Sequence, residues 1–156
     1  MANRSPLVLA SGLALLLAGC VPNAEPNGPP ATTPGAQPKL VGTEWRLVEF
    51  VSSDDAIGAI RPAKDEVYTL HLNPDGTLAA GVFCNRATGT WTSPDIARTM
   101  GSLTLQMGAM TMAACPPTRL ERLASDMAHV RSFVIQDGRL HLNLKMDSGN
   151  YVWAPD

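Results

Sequence analysis

Between Trp45 and Trp153 the chain alternates apolar and polar residues in short runs, and most runs stop at turn-forming residues. That rhythm commits it to strands, because successive side chains of a strand point to opposite faces. Residues 66–72 set Tyr68, Leu70 and Leu72 on one face and Val67, Thr69 and His71 on the other. Asn73-Pro74-Asp75-Gly76 has turn chemistry throughout, with Pro presetting φ and Gly tolerating positive φ, and residues 77–83 return as the partner strand. Residues 132–136 turn at Asp137-Gly138, a strong two-residue hairpin signal. Leu140, Leu142, Leu144 and Met146 then alternate with Arg139, His141, Asn143 and Lys145, giving one dry and one wet face. Residues 45–51, 89–92, 102–107 and 151–153 complete a set of about eight short strands.

One stretch has a different period. Past Pro116-Pro117, Thr118-x-x-Glu121 reads as a capping box, and Leu120, Leu123, Met127 and Val130 follow at helical spacing. No βαβ rhythm, internal repeat or heptad competes. The expected fold is mainly β: a curved antiparallel sheet or partly closed small barrel of about eight strands, packed with one helix.

The first 39 residues follow other rules. Arg4 precedes an apolar run over residues 7–18, and Leu17-Ala18-Gly19-Cys20 closes it. The run is shorter than the roughly 20 apolar residues that span a bilayer and has the layout of a secretory signal. A cysteine directly after Ala18-Gly19 matches the lipobox of bacterial lipoproteins. The match implies that residues 1–19 are removed and that Cys20 becomes a lipidated N-terminus, a membrane anchor. Val21 stands where Asp would retain an enterobacterial lipoprotein in the inner membrane, so a Gram-negative host implies a periplasm-facing outer-membrane address. Residues 21–39 carry six prolines and two glycines and lack apolar periodicity, the composition of a semi-extended spacer. The organisation is thus a signal (1–19), a lipidated Cys with Pro-rich spacer (20–39) and one domain (40–156).

From residue 40 onward ten Lys/Arg face thirteen Asp/Glu, 10 − 13 = −3. With no basic cluster, nucleic acid is excluded as a partner. Of three cysteines, lipidation of Cys20 leaves Cys84 and Cys115, an even number in an oxidising compartment. A disulfide between them is the expectation; two reduced, buried thiols are the competing reading.

Two local patterns carry a family resemblance. Phe83-Cys84-Asn85-Arg86-Ala87-Thr88-Gly89 resembles the Cys-Asn-x-x-x-Gly segment of META-domain (HslJ-like) proteins, and residues 109–115, with Met110, Thr111 and Cys115, resemble their second signature. The Gly42-Thr43-x-Trp45 opening and the closing strand pair occur in the family's order. The departure is Ala113-Ala114 before Cys115, where many members have a longer Met-Ala pattern. The resemblance implies a partly closed antiparallel barrel in an envelope protein, with some members linked to heat shock, antibiotic tolerance, secretion or motility. It implies no reaction. Trp45, Asn85, Arg86, Gly89, Met110 and Thr111 read as structural: Asn85 as a strand-end residue bonding local backbone, Arg86 as partner of a carboxylate or carbonyl, Thr111 as a hydroxyl satisfying a tight loop.

The usual catalytic signatures are missing: there is no GxSxG, P-loop, HExxH, CxxC or GxGxxG. His71, His129 and His141 are scattered, and Asp54-Asp55 and Asp65-Glu66 read as solvated loop charges. Met100, Met107, Met110 and Met112 tempt a soft-metal reading but read better as adaptable core filling. No cofactor and no metal are expected. The expected function is a non-enzymatic, membrane-anchored envelope lipoprotein acting through protein contacts in envelope maintenance, stress or antibiotic tolerance. The alternatives are a binder of a small hydrophobic ligand inside the barrel and a periplasmic protease or lysozyme inhibitor.

Overall fold

In the computed structural model of the protein, residues 38–156 are described. The expected signal peptide, Cys20 and all but the last two residues of the spacer lie outside the described residues. The alternating runs become β1 (Glu44–Val51), β2 (Ala59–Ile60), β3 (Tyr68–Leu72), β4 (Thr77–Val82), β5 (Asn85–Thr92), β6 (Met100–Ser102) and β7 (Thr104–Met110). A short helix α1 (Leu123–Met127) follows, then β8 (Val130–Gln136), β9 (Arg139–Leu144) and β10 (Asn150–Pro155).

All ladders are antiparallel. The strand order is β6-β8-β9-β10-β1-β3-β4-β5-β7, with β2 attached to β1. The two edges, β6 and β7, are consecutive in the chain and separated by Leu103 alone. One nearly continuous stretch therefore pairs first with β8 and then with β5, which almost closes the sheet into a barrel. The Leu103 N–H still bonds the Arg131 carbonyl at 3.1 Å. Beyond Leu103 the strands part, leaving an unsealed seam, and α1 packs against β7 there. The mainly β, one-helix expectation holds.

The inward faces follow the alternation. Tyr68, Leu70 and Leu72 are buried from β3, and Leu140, Leu142 and Leu144 from β9. In β8 the period breaks, with Val130, Phe133 and Ile135 buried, because a register shift lies between Val130 and Ser132. Trp45, Trp153, Tyr68, Tyr151 and Phe133 are the largest side chains of the buried core, packed among leucines. Each such burial contributes about 1.5–3 kcal/mol. Trp45 Nε1 donates to the Leu40 carbonyl at 3.2 Å and Trp91 Nε1 to that of Asn73 at 2.9 Å.

Three expectations are corrected. The helix starts at Leu123, and Thr118 does not open a capping box with Glu121: its hydroxyl accepts from the Leu120 N–H at 3.1 Å and pairs with Tyr68 Oη at 3.0 Å. Thr118 is thereby committed to a turn, and α1 shrinks to five residues. Met146 does not extend the inward row of β9. Met146 and Asp147 both take positive φ, 54° and 50°, so the chain turns and Met146 is 91 % exposed. The strand expected from residue 89 begins at Asn85, because Phe83 and Cys84 form a two-residue connection that pairs Val82 with Asn85. Among the described residues no helix is long and apolar enough to cross a membrane.

Candidate functional site

The signature residues converge where the β4–β5 turn meets the segment leaving β7. Cys84 and Cys115 form a disulfide across 31 residues, with Cα atoms 5.8 Å apart. Asn85, beside it, uses its whole amide. Nδ2 donates to the Ala113 carbonyl at 3.2 Å and to Cys115 Sγ at 3.0 Å, while Oδ1 accepts from Thr111 Oγ1 at 2.9 Å and the Ala113 N–H at 2.8 Å. Two donors and two acceptor positions are all an Asn side chain has. Thr111 Oγ1 also accepts from the Arg86 N–H at 3.0 Å, and the Thr111 N–H donates to the Arg86 carbonyl at 2.9 Å. Residues 111–115 are thus clasped onto the head of β5 although they belong to no strand.

Gly89 serves the same seating two turns of the pleat further on. A Cβ there would strike the Gln106 carbonyl oxygen, so only glycine lets β5 and β7 approach at their register shift. Trp45 lies apart from the clasp, in the core. Arg86 is exposed, and among the described residues its side chain meets neither of the expected partners, a carboxylate or a carbonyl. Core filling describes Met107 alone of the central methionines; Met100, Met110 and Met112 are 58 %, 38 % and 85 % exposed. Met100 and Met110 lie at opposite ends of the β6–β7 stretch, so the four share no single site. His71 Nδ1 lies 3.1 Å from Glu44 Oε2. Among the described residues no three His, Cys, Asp or Glu side chains gather as metal ligands.

Two cavities flank the 111–129 segment. One of about 260 Å³ adjoins the clasp and is lined by Tyr68, Phe83, Asn85, Met110, Pro116 and Glu121. Burial, the largest cause, pushes the Tyr68 phenol above its ordinary value against the opposing Thr118 hydrogen bond. The other cavity, about 390 Å³, lies between the end of β1, α1 and the turn after β9.

Asp126 and Tyr151 line this larger cavity. Asp126 is the one buried charged residue of the described chain, and its Oδ2 accepts from Tyr151 Oη at 2.7 Å. Arg122 stands 3.7 Å from its other oxygen. Burial first, then the hydrogen bond to Asp126 and its charge, push the Tyr151 phenol far above the usual tyrosine range. Tyr151 is therefore held as a donor, and the carboxylate is tied to β10. Sequence reasoning missed this pair, yet the signal was present: Asp126 falls on the apolar stripe of Leu123, Met127 and Val130. A carboxylate on a dry stripe demands a partner.

The disulfide, the glycine contact and the nearly closed antiparallel sheet make this a small barrel-like β domain. The META domain family profile matches residues 38–153, and the chain belongs to that family. A crystal structure of a DUF4847 family protein from Bacteroides vulgatus superposes with a TM-score of 0.52 at 12 % identity, covering 73 % of this chain and 92 % of that one. That likeness shows the fold alone. No curated protein matches the chain.

Proposed function

We propose that the protein is a lipid-anchored envelope lipoprotein whose META domain acts without chemistry, through protein contacts in envelope maintenance, stress or antibiotic tolerance. The observation that carries this reading is the filled interior. Trp45, Trp153, Tyr68, Tyr151 and Phe133 are buried in one core cluster with the inward leucines, whereas a ligand-carrying barrel keeps its interior open. Activity is then left to the outer surface and the loops. The lipobox ending in Cys20 and the Pro-rich spacer support a domain held away from a membrane rather than diffusing freely.

The test has two arms in intact cells. A palmitate analogue should label the wild-type chain and not Cys20→Ser. A photo-crosslinking residue at the exposed Met112 should give one discrete adduct that competes with excess unlabelled domain. Labelling that survives Cys20→Ser removes the anchor, and absence of a discrete adduct from several surface positions removes the protein-contact role.

A further inference from the structure

The 390 Å³ cavity carries a charge pattern opposite to that of its domain. Its wall includes Arg119, Arg122 and Lys145 against a single carboxylate, Asp126, in a domain whose net charge is 10 − 13 = −3. Asp126 already accepts from Tyr151 and faces Arg122. Arg119 and Lys145 make no ion pair among the described residues. The same wall carries apolar side chains, Phe50, Ile57, Ile60, Leu120 and Met146.

The rim is also built against local preference. Met146 and Asp147 hold positive φ, a costly conformation for residues other than glycine. The turn is pressed onto β1, because a Cβ at Gly149 would strike the Val51 carbonyl and the Phe50 ring. The result keeps Lys145 at the cavity while Met146, 91 % exposed, and Ile57, 50 % exposed, stand at its mouth. Exposed apolar side chains beside unpaired cations suit a ligand with an apolar body and an anionic end. The volume falls at the small end of the roughly 300–1,000 Å³ range of small-molecule sites, enough for one alkyl chain rather than two.

We propose that this cavity binds a single-chain alkyl carboxylate, with Arg119 and Lys145 meeting the carboxylate and Phe50, Ile57, Ile60 and Met146 covering the chain. The site lies between the end of β1, α1 and the turn after β9, and does not rest on the protein-contact reading. A protein that binds the acid yet yields no crosslinked partner would lose only that reading.

The experiment uses residues 20–156, the chain left once the signal is removed, with Cys20→Ser so that no attached acyl group competes, and tetradecanoate as the probe. Native mass spectrometry should show one tetradecanoate per chain. Titration should show tetradecyltrimethylammonium, the same tail with a cationic head, binding at least about tenfold more weakly. Lys145→Glu and Arg119→Glu should each weaken tetradecanoate by about tenfold or more, the size expected for loss of a charge-assisted hydrogen bond. Ile57→Asp, in an exposed loop, should weaken it without moving the thermal midpoint, which separates loss of binding from loss of fold. Equal affinity for the two head groups, or affinity unchanged in all three variants, overturns the proposal. Preference for a monoacyl lysophospholipid over tetradecanoate overturns the assignment to a carboxylate.

Discussion

The Thr111 hydroxyl donates to Asn85 Oδ1 at 2.9 Å while accepting from the Arg86 N–H at 3.0 Å, so one side chain joins the head of β5 to the segment that leaves β7. Because Asn85 spends all four of its hydrogen-bonding positions there, no other side chain reproduces it. Asn85→Ala should destabilise the domain by about 2–3 kcal/mol, several partly exposed hydrogen bonds at about 0.5–1.5 kcal/mol each. Asn85→Asp should not rescue it, since a carboxylate would set an acceptor against the Ala113 carbonyl. Thr111→Val should cost less. Urea unfolding midpoints rank the three, and an Asn85→Asp protein as stable as wild type would remove the clasp argument.

The Cys84–Cys115 disulfide closes a loop of 31 residues, worth about 3.5 kcal/mol of denatured-state entropy in the chain model. Cys84→Ser with Cys115→Ser should therefore lower stability by about 3 kcal/mol. The native contacts should persist, because the Thr111 hydroxyl and the Ala113 N–H still donate to Asn85 Oδ1. Amide exchange should show the loss concentrated in residues 111–118, with β8–β10 protected as before. Equal deprotection of β8–β10 would make the crosslink a global requirement.

Much of this fold was legible because it rests on local rules. Asp137 and Gly138 both adopt positive φ, 52° and 73°, the turn that an Asp-Gly pair between alternating strands calls for. The inward rows of β3 and β9 follow from period two alone. What escaped depends on contacts remote in sequence. Thr118 satisfies every local criterion for a helix cap, but Tyr68, 50 residues earlier, draws its hydroxyl elsewhere. The start of β5 at Asn85 depends on Phe83 accepting φ of 54°, a price no propensity anticipates for an aromatic residue. The cluster at the larger cavity draws on β1, α1 and the turn after β9, and only closure of the barrel brings these together. The clasp residues were found through the family resemblance, which named them without saying what each one touches.

Gly89 and Gly138 separate two uses of glycine. At Gly89 the obstacle to a side chain is the fixed Gln106 carbonyl, whereas at Gly138 nothing lies within 4 Å and only the positive φ resists substitution. Gly89→Ala should cost about 2–3 kcal/mol, as overpacking against backbone does, and should perturb β7. Gly138→Ala should cost about 1–2 kcal/mol, the left-handed penalty alone, with no change in β7. Chemical denaturation gives the magnitudes, and amide shifts of Gln106 and Gly108 show whether β7 has moved.

Tyr151 and Asp126 connect the last strand to α1, and their chemistry gives the fold an alkaline limit. Tyr151→Phe deletes the 2.7 Å donor and leaves a buried carboxylate facing only Arg122 at 3.7 Å. It should cost about 1.5–3 kcal/mol, the range for a hydrogen bond to a charged group. The pH dependence follows from the raised phenol. The unfolded chain loses this proton near its ordinary value of 10.0, while the folded chain keeps it well beyond. The stabilisation is thus complete below pH 10 and declines as pH rises past it, because the unfolded state then binds fewer protons than the native one. Tyr68 adds a second contribution of the same sign. Stability of the wild type should fall steeply above pH 10, and Tyr151→Phe should fall less steeply from its lower starting point. Tyrosinate absorbance should appear together with unfolding; a tyrosinate signal at its ordinary pH in the folded protein that Tyr151→Phe abolishes would show Tyr151 open to water and break the link between β10 and α1.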